Sequence, residues 1–341
     1  MGGDHGPQVA IDGVKLALAL NPLVEELVLV GDEQEIRKAL AQAQCRDERV
    51  RIVHASEVLT MDDNPLTAVR KKKDSSMARA IELVKDGKTD AVISPGNTGA
   101  LVATASFKLR RLEGVERPAI ATVIPTSQSN FVLLDGGATP ECKPIHLLQF
   151  AVMGSIYARE VLGKKNPRVG LLSNGSEEMK GTDVTREALV LCKGLDLNFV
   201  GYVEGHDLFA EHVDVVVADG FVGNIVLKTI ESMGVGFKGL LKKGLTANPL
   251  RQLGALLAKG AFREIKQKMD PEEHGGAPLL GLNGTVIKVH GSARPKMFKN
   301  AIAQTASALQ QKITEQIEQA IAQANHRVAH VSVSSPATAQ T

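Results

Sequence analysis

The sequence has few aromatic residues and few cysteines. It contains no tryptophan, two tyrosines and nine phenylalanines among 341 residues, which argues against the aromatic platforms on which proteins stack bases. The three cysteines, Cys45, Cys142 and Cys192, lie far apart along the chain. Their spacing fits neither a CxxC metal motif nor a disulfide framework, and it favours reduced thiols in a cytoplasmic protein.

An excess of charge and long apolar runs are also missing. The chain has 40 Lys and Arg residues against 38 Asp and Glu residues, a formal net charge of +2, whereas a general nucleic-acid binder shows a clear basic excess. No signal peptide is recognisable, and no apolar run approaches the ~20 residues of a membrane span. We therefore expect a cytoplasmic protein that binds no nucleic acid and touches a membrane only from its surface.

The common cofactor and nucleophile motifs are absent as well. The sequence has no G-x-x-x-x-G-K-[ST] phosphate loop, and no G-x-G-x-x-G stretch opens a helix directly after a predicted strand. It also has no G-x-S-x-G nucleophile elbow. His, Cys, Asp and Glu residues do not occur at the spacing of a metal site. These observations give no support to ATP, NAD or serine-nucleophile chemistry, and we expect neither a cofactor nor a metal.

The chain does have a regular alternation of short apolar strands and helices. Strands are predicted at residues 26–31, 51–55, 90–94, 119–125, 131–135, 168–173, 197–203, 213–219 and 285–291. This alternation predicts an α/β fold with a largely parallel sheet that helices cover on both faces. We expect a single domain over residues 1–325. The tail over residues 326–341 is rich in Ser, Ala and Thr, and we expect it to be disordered.

Five of the predicted strands end in polar loops that contain glycine. The loops are residues 94–100, 135–144, 173–182, 219–224 and 290–293. Because parallel strands end at one edge of a sheet, we expect these loops to form one site. Two loops lead directly into helices, at Asn97 and near Val222, where free amides and the helix dipole favour phosphate. For any single loop, ordinary turn chemistry is the better interpretation, and it is the convergence of five loops that favours an anion site.

Residues 235–269 form a strongly basic segment with apolar residues at helical spacing. Eight Lys or Arg residues stand against one acid, Glu264, and Asn248–Pro249 marks a turn between two predicted helices. Two interpretations remain open. The hairpin either packs on the core with a solvated face or rests on an anionic bilayer, apolar face down. In the second case the membrane-contacting residues are Leu250, Leu253, Leu257 and Lys259.

Several long motifs together resemble one protein family. The stretches MGGDHGP, ISPGNTGAL, KKDSSMARA, LLSNGSEEMKGT, DGFVGNIVLKT and GLNGTVIKVHGSA are similar, in this order, to signature stretches of the bacterial phosphate acyltransferases. These are the acyl-ACP:phosphate acyltransferases of phospholipid synthesis. The resemblance extends from residue 1 to about residue 310, and it is specific because several long motifs agree rather than one short one.

The resemblance implies a Rossmann-like three-layer α/β/α fold, akin to those of phosphate acetyltransferases and isopropylmalate dehydrogenases, with a mostly parallel sheet and a helical hairpin extension. It also implies a homodimer that works without a cofactor and associates peripherally with the inner face of the cell membrane. The implied partners are acyl-ACP, inorganic phosphate and the membrane-bound glycerol-3-phosphate acyltransferase.

The implied reaction converts acyl-ACP and phosphate into acyl phosphate and free ACP, and it assigns candidate roles to loop residues. Lys180 and His290 would neutralise the phosphate or the tetrahedral oxyanion, although a solvated loop lysine remains an alternative for Lys180. Asp4 and His5 would orient the phosphate or accept its proton. The candidate phosphate-binding residues are Asn97, Thr98, Gly99, Asn174, Gly223 and Asn224.

Two other functions remain possible from the sequence. One is a CoA-dependent phosphate acetyl- or butyryltransferase, and the other is a membrane-bound scaffold without catalysis. The start of the chain raises a separate expectation, because MGGDHGP is the only candidate site loop that follows no strand. Since relatives carry a short apolar strand there, we expect such a strand to be missing and Asp4 and His5 to be the least firmly held site residues.

Overall fold

The structure is a computed structural model that describes residues 1–60 and 62–334. Within these residues the helices are α1 (Gly6–Leu20), α2 (Glu33–Gln42), α3 (Pro65–Lys71), α4 (Ser76–Lys85), α5 (Thr98–Lys108), α6 (Pro144–Leu162), α7 (Asp183–Lys193), α8 (Gly220–Leu245), α9 (Pro249–Leu257), α10 (Lys259–Lys268), α11 (Pro295–Gln310) and α12 (Ile313–Ser334). The strands are β1 (Leu27–Gly31), β2 (Val50–His54), β3 (Ala91–Ser94), β4 (Ala119–Pro125), β5 (Asn130–Leu134), β6 (Val169–Leu172), β7 (Phe199–Val203), β8 (Val215–Val217), β9 (Ala277–Leu280) and β10 (Thr285–Lys288).

The strands form two sheets. β1 and β2 pair in parallel as a small sheet, and the other strands form an eight-stranded sheet in the order β3-β10-β9-β4-β5-β8-β6-β7. β3 pairs with β10 in parallel, and β5, β8, β6 and β7 form a parallel block. Between these blocks, β9 and β4 pair antiparallel with each other and with their outer neighbours β10 and β5.

The antiparallel pairs reverse the strand direction across the sheet. β3 and β10 therefore end at one edge, whereas β5, β6 and β8 end at the opposite edge. The expectation that five polar loops share one edge is wrong for this reason. The loops 94–100 and 290–293 lie at the first edge, and the loops 135–144, 173–182 and 219–224 lie at the second.

Helices cover both faces of the large sheet, as alternation along the strands requires. In β5, Val132 and Leu134 are buried in one core cluster with α6, while Phe131 and Leu133 are buried on the other face, against α8. In β10, Val286 packs on the α4 and α5 side, whereas Ile287 packs on the α11 side. The three-layer α/β/α arrangement predicted from the sequence is confirmed.

Helix boundaries follow local sequence signals. Asp32, Ser75, Thr182 and Asp219 each cap a helix by accepting a hydrogen bond from a first-turn amide, as N-cap residues do. Helix α6 ends at Gly163, whose φ of 68° is the left-handed conformation that glycine adopts without strain.

Three elements differ from the expectations. β9 was not predicted, because it is four residues long and contains Pro278, a residue that usually argues against a strand. Residues 326–334, which were expected to be disordered, continue helix α12, and residues 335–341 lie outside the described residues. Ile317, Ile321, Ala324 and Val328 recur at helical spacing in α12 and pack on the core beside α6.

The predicted hairpin is part of three helices, because α8 runs on to Leu245 and the segment after it divides into α9 and α10.

Candidate active site

The N-terminal loop lies against the loops that follow β3 and β10. The amide of Asp4 donates a hydrogen bond to the carbonyl of Gly291 over 2.9 Å. A Cβ placed on Gly3 would lie 3.2 Å from the Pro95 side chain and 3.3 Å from the same Gly291 carbonyl, so the three segments are packed closely at this glycine. Asp4 and His5 are both exposed, and His5 is the N-cap residue of α1. Three chain segments thus form one wall of the candidate site, which we call the β3–β10 wall.

The N-terminus of α5 belongs to the same wall. Asn97 caps the helix, and its Oδ1 accepts a hydrogen bond from the amide of Ala100 over 2.9 Å. The first-turn amides of Thr98 and Gly99 precede the residues that bond within the helix, so by helix geometry they are available to an anion. Gly99 packs closely on α3, because a Cβ there would lie 2.8 Å from the Pro65 ring.

His290 lies in the loop after β10, where its ring orientation is held by Ser292. Its Nδ1 is 2.8 Å from the Ser292 hydroxyl and also accepts a hydrogen bond from the Ser292 amide over 3.2 Å. Because an amide donates to Nδ1, the neutral ring carries its proton on Nε2, on the opposite side. The exposed Nε2 is therefore suited to donate to an anion.

The loop after β5 is organised by the buried carboxylate of Asp135. Its two oxygens accept hydrogen bonds from the amides of Ile120, Gly137, Ala138 and Thr139, at 2.6 to 3.0 Å. Burial raises the pKa of Asp135, and these four amide donors oppose that shift. Sequence reasoning did not identify this residue, although an acid directly after an apolar strand and before two glycines is a signal for such a turn.

Helix α8 begins against the Asp135 loop, and its first turn already has partners in the protein. Asp219 caps the helix by accepting from the Val222 amide, and the Gly220 amide donates to the carbonyl of Thr139. The Gly223 amide donates to the carbonyl of Asp219 over 2.8 Å, so it offers no free donor to phosphate. The structure instead gives Gly223 a packing role, and the Asp219 carboxylate makes this helix start unfavourable for an anion.

Asn224, the candidate site residue that follows Gly223 in α8, has an exposed side chain. A Cβ on Gly137 would lie 3.4 Å from the Cβ of Asn224, so the helix and the Asp135 loop meet at these two residues. Asn224 therefore lies at the second edge of the sheet, which we call the β5–β8 wall.

Lys180 and Asn174 lie in the loop after β6. The Asn174 Oδ1 accepts a hydrogen bond from the Gly181 amide over 3.0 Å, and the exposed Lys180 side chain folds over Gly175. Strand β6 is a direct neighbour of β8, which places this loop on the same edge as the start of α8. It is five strand positions from β10, about 24 Å between the strands at the usual spacing, so the strands do not bring Lys180 together with His290.

Two lysines that sequence reasoning missed connect the two walls. The Nζ of Lys288, the last residue of β10, donates hydrogen bonds to the carbonyls of Pro95 and Val289. The pKa of Lys288 is lowered to about 8, mainly because the ammonium is buried; the Asp4 carboxylate opposes this shift and the positive charge of Lys228 on α8 adds to it. Lys288 stands two residues before His290, and this spacing of alternate strand residues is the signal that could have revealed it.

Helix α8 is therefore the element that joins the walls. Asn224 and Lys228 are one helical turn apart, about 6 Å between their Cβ atoms, and Lys228 is close enough to Lys288 to act on its charge. Lys228 also forms an ion pair with Glu231, with 2.7 Å between Nζ and Oε2. Lys288, His290 and the N-terminus of α5 lie on the β3–β10 wall, and Lys228 on α8 is within electrostatic range of Lys288. We call the region that these groups define the cleft, and its cations and helix amides suit it to bind an anion.

Other groups near the cleft do not supply a nucleophile or a metal site. Burial and the carboxylates of Asp135 and Asp219 raise the pKa of the Cys142 thiol to about 12, so the thiol stays protonated. Among residues 1–60 and 62–334, no group of three or more His, Cys, Asp or Glu side chains is placed to hold a metal ion. A cavity of about 360 Å³ lies elsewhere, between β9, β10 and the junction of α11 and α12, and no predicted site residue lines it.

The segment after α8 projects its apolar residues away from the core. Leu250, Leu253 and Leu257 of α9 are 78%, 54% and 81% exposed, and no residue of α9 or α10 is buried. The interpretation that the predicted hairpin packs on the core is therefore wrong for α9. In the part of the chain that the structure covers, no helix is both long enough and apolar enough to cross a membrane.

Two solved structures have a similar fold. The chain superposes on a phosphotransacetylase from Streptococcus pyogenes with a TM-score of 0.60 at 19% identity, covering 89% of this chain and 92% of that one. It superposes on a branched-chain phosphotransacylase from Enterococcus faecalis V583 with a TM-score of 0.53 at 12% identity, covering 90% and 97%. The fold is thus that of the phosphotransacylases.

Sequence comparison gives the family. The model of the fatty acid synthesis protein family matches residues 1–316. The chain is 47% identical over 328 residues to a phosphate acyltransferase of Akkermansia muciniphila, covering 94% of each chain. It is 45% identical over 317 residues to a phosphate acyltransferase of Syntrophotalea carbinolica, covering 93% of this chain and 91% of the relative. The chain belongs to the fatty acid synthesis protein family, and both the resemblance and the predicted acyltransferase class are confirmed.

Proposed function

We propose that the protein transfers a fatty acyl group from acyl-ACP to inorganic phosphate, which gives acyl phosphate and free ACP. The observation that carries this proposal is the meeting of Lys288, Lys228 and the N-terminus of α5 at one cleft. Cationic side chains and open first-turn amides recognise phosphate oxygens. The names of the relatives, which describe acyl transfer to phosphate, support the same reaction.

The chemistry needs little beyond binding and alignment. Phosphate is itself the nucleophile, and a thiolate with an intrinsic pKa near ~8.5 leaves without a strong acid. The protein has to hold phosphate beside the thioester carbonyl and to supply a donor to the developing oxyanion. His290 and the α5 amides of Thr98 and Gly99 serve phosphate in this proposal, while Asp4 and His5 orient it or accept its proton.

The β5–β8 wall is proposed to receive the thioester. Asn224 offers an amide donor there from α8. Lys180 is proposed to serve the oxyanion together with Asn174, which requires the loop after β6 to fold over the start of α8 towards the β3–β10 wall. Phe221, Ile225 and Lys228 follow each other at helical spacing on the outward face of α8, and the two apolar side chains are 63% and 51% exposed. An apolar surface beside the anion site suits a long acyl chain better than an acetyl group.

The remaining features of the proposal concern location and partners. We propose a homodimer that works in the cytoplasm and rests on the inner face of the cell membrane. The exposed leucines of α9 and Lys259 support this placement, because an apolar stripe with a basic flank binds anionic bilayers. The membrane-bound glycerol-3-phosphate acyltransferase would then receive the acyl phosphate directly.

The test is release of free ACP thiol from long-chain acyl-ACP with and without inorganic phosphate. We expect phosphate-dependent release together with acyl phosphate, trapped as the hydroxamate. Turnover of acetyl-CoA or butyryl-CoA in place of acyl-ACP would identify a CoA-dependent phosphotransacylase instead. A folded protein that turns over neither donor but still binds anionic vesicles would favour the membrane scaffold.

A further inference from the structure

We propose that Lys288 is the residue that recognises the phosphate acceptor, and that it does so while fixing the loop after β3 to the end of β10. This inference rests on the proposed function and names a binding residue for it. Lys288 is absent from the candidate residues that the sequence motifs supplied, because it lies inside a strand rather than in a polar loop.

The first argument is the position of the ammonium group. The Lys288 Nζ donates to the carbonyl of Pro95, 3.1 Å away, and to the carbonyl of Val289. An ammonium has three donors, so one N–H remains for a ligand after these two bonds. Pro95 stands two residues before Asn97, the cap of α5. The same side chain therefore fixes the loop that carries the helix amides and presents a charge beside them.

The second argument is the charge around Lys288. The charged groups that act on it are Asp4 from the N-terminal loop and Lys228 from α8, and His290 follows two residues later in the chain. The residues of the β3–α5 loop against it, Ser94 to Gly96, carry no ionisable side chain. Asp4 is thus the acid that acts on Lys288, and Lys228 is the repelling base. Glu231 pairs with Lys228 and Asp4 acts on Lys288, so this positive charge is partly balanced within the protein, and a bound phosphate would compete with Asp4 for the Lys288 ammonium.

The third argument is burial. Lys288 is half-buried at the end of an interior strand, and burial lowers its pKa to about 8. Its charge is therefore present below pH 8 and is lost as the pH rises through that value. A bound anion stabilises the charged form and raises this pKa, so phosphate binding and protonation of Lys288 are linked.

The experiment compares Lys288→Met with wild type, using inorganic phosphate as the probe. Because the variant loses a charge-assisted hydrogen bond to phosphate, we expect its KM for phosphate to rise on the order of 10- to 100-fold. Its KM for acyl-ACP should be unchanged. The rise in melting temperature that phosphate gives the wild-type protein should be lost, and this readout requires no turnover. Lys15→Met is the matched control, because the Lys15 Nζ also donates to a main-chain carbonyl, that of Ala43, outside the cleft.

The variant Lys288→Arg tests whether the positive charge at this position, rather than the folding of the protein, accounts for phosphate binding. An arginine stays protonated throughout, so the affinity of this variant for phosphate relative to wild type should be higher at pH 9 than at pH 7, because wild type loses the Lys288 charge above pH 8. Since all variants are compared at the same pH, the ionisation of phosphate itself cancels. If Lys288→Met is unfolded by circular dichroism, the Lys288→Arg pH profile decides the question.

Three results would overturn the inference. They are an unchanged KM for phosphate in a folded Lys288→Met protein, an equal loss in Lys15→Met, or a fall above pH 8 that Lys288→Arg shares with wild type. In each case wild-type turnover would still support the proposed function. A wild-type protein that neither turns over acyl-ACP with phosphate nor is stabilised by phosphate would instead refute the proposed function.

Discussion

The first turn of α8 packs directly on the end of β5 through Gly223 and Asp135. A Cβ on Gly223 would lie 2.0 Å from the carbonyl oxygen of Asp135, far inside the closest approach of two such atoms. Because α8 also carries Asn224 and Lys228, this contact sets where both side chains lie relative to the β3–β10 wall. A glycine in a helix interior normally weakens the helix, and here the close approach explains its presence.

We therefore expect Gly223→Ala to lower the free energy of unfolding by about 1–3 kcal/mol, as overpacked core substitutions do. Gly236→Ala in the same helix is the control. A Cβ on Gly236 meets no atom within 4 Å, so alanine there should stabilise the helix by about 0.5–1 kcal/mol. Urea denaturation measures both effects. Equal effects in the two variants would contradict the packing role of Gly223.

The Asp214 carboxylate should make stability fall in acid. Burial raises the pKa of Asp214, but its contacts with Arg168 and Lys164 outweigh burial and hold the pKa below its ordinary value of 3.8. A carboxylate with a lowered folded pKa contributes stability above the unfolded value and loses it as the pH falls through the folded one. Asp214→Asn should cost about 1–3 kcal/mol at pH 7 and should flatten the decline of stability below pH 4.

Thermal and urea unfolding between pH 2 and pH 7 test this expectation. Glu26→Gln is the control, since Glu26 pairs with Arg51 at the surface, where both side chains are exposed and solvent screens the interaction. Its effect at pH 7 should be smaller than that of Asp214→Asn. A steeper acid decline in Asp214→Asn than in wild type would contradict a lowered pKa of Asp214 in the folded protein.

The exposed leucines of α9 should determine vesicle binding. Replacing Leu253 and Leu257 with Glu places two charges on the apolar stripe, and we expect binding to anionic vesicles in a flotation assay to be lost while turnover in solution is kept. Leu20 and Leu23 are also exposed, at 70% and 55%, but lie at and beyond the end of α1. The same double change there should leave vesicle binding intact, and loss of binding in both proteins would point to a nonspecific charge effect.

Lys180→Met is expected to lower kcat on the order of 10²-fold, as removal of one oxyanion donor does, and to leave KM for phosphate unchanged. We expect an effect on kcat without an effect on KM for phosphate because Lys180 lies in the loop after β6, next to the β5–β8 wall rather than the β3–β10 wall. Lys165→Met, at the opposite end of β6, is the control. An unchanged kcat would remove Lys180 from the site and leave it as a solvated loop lysine.

Much of the fold was predictable from local pattern. The strands that became β1 to β8 and β10 were each placed to within a few residues, because short apolar runs bounded by Gly, Asp or Pro signal buried strands. The two helices expected to begin at Asn97 and near Val222 do begin there, with Asn97 and Asp219 as their caps. β9 was not predicted because it contains Pro278, a residue that argues against a strand. The end of α12 was not predicted because residues 326–334 are polar enough to suggest a tail, although Val328 packs on the core.

The candidate site was predictable only in part. Polar loop composition identified Asp4, His290 and Asn97, which do share one wall. It also suggested Gly223, whose amide is already bonded within α8. It did not identify Lys288, because a lysine at the end of an apolar strand reads as a surface residue until its neighbours are known.

The sequence by itself determined the alternation of strands and helices, the caps, the family and the basic apolar segment after α8, since each of these depends on residues close together in the chain. Only the tertiary structure decided how the loops meet. Strand direction depends on pairing between distant segments, and the antiparallel positions of β4 and β9 divide the loops between two edges of the sheet. Helix α8 starts at the second edge and carries Lys228, which is near enough to Lys288 at the first edge to lower its pKa.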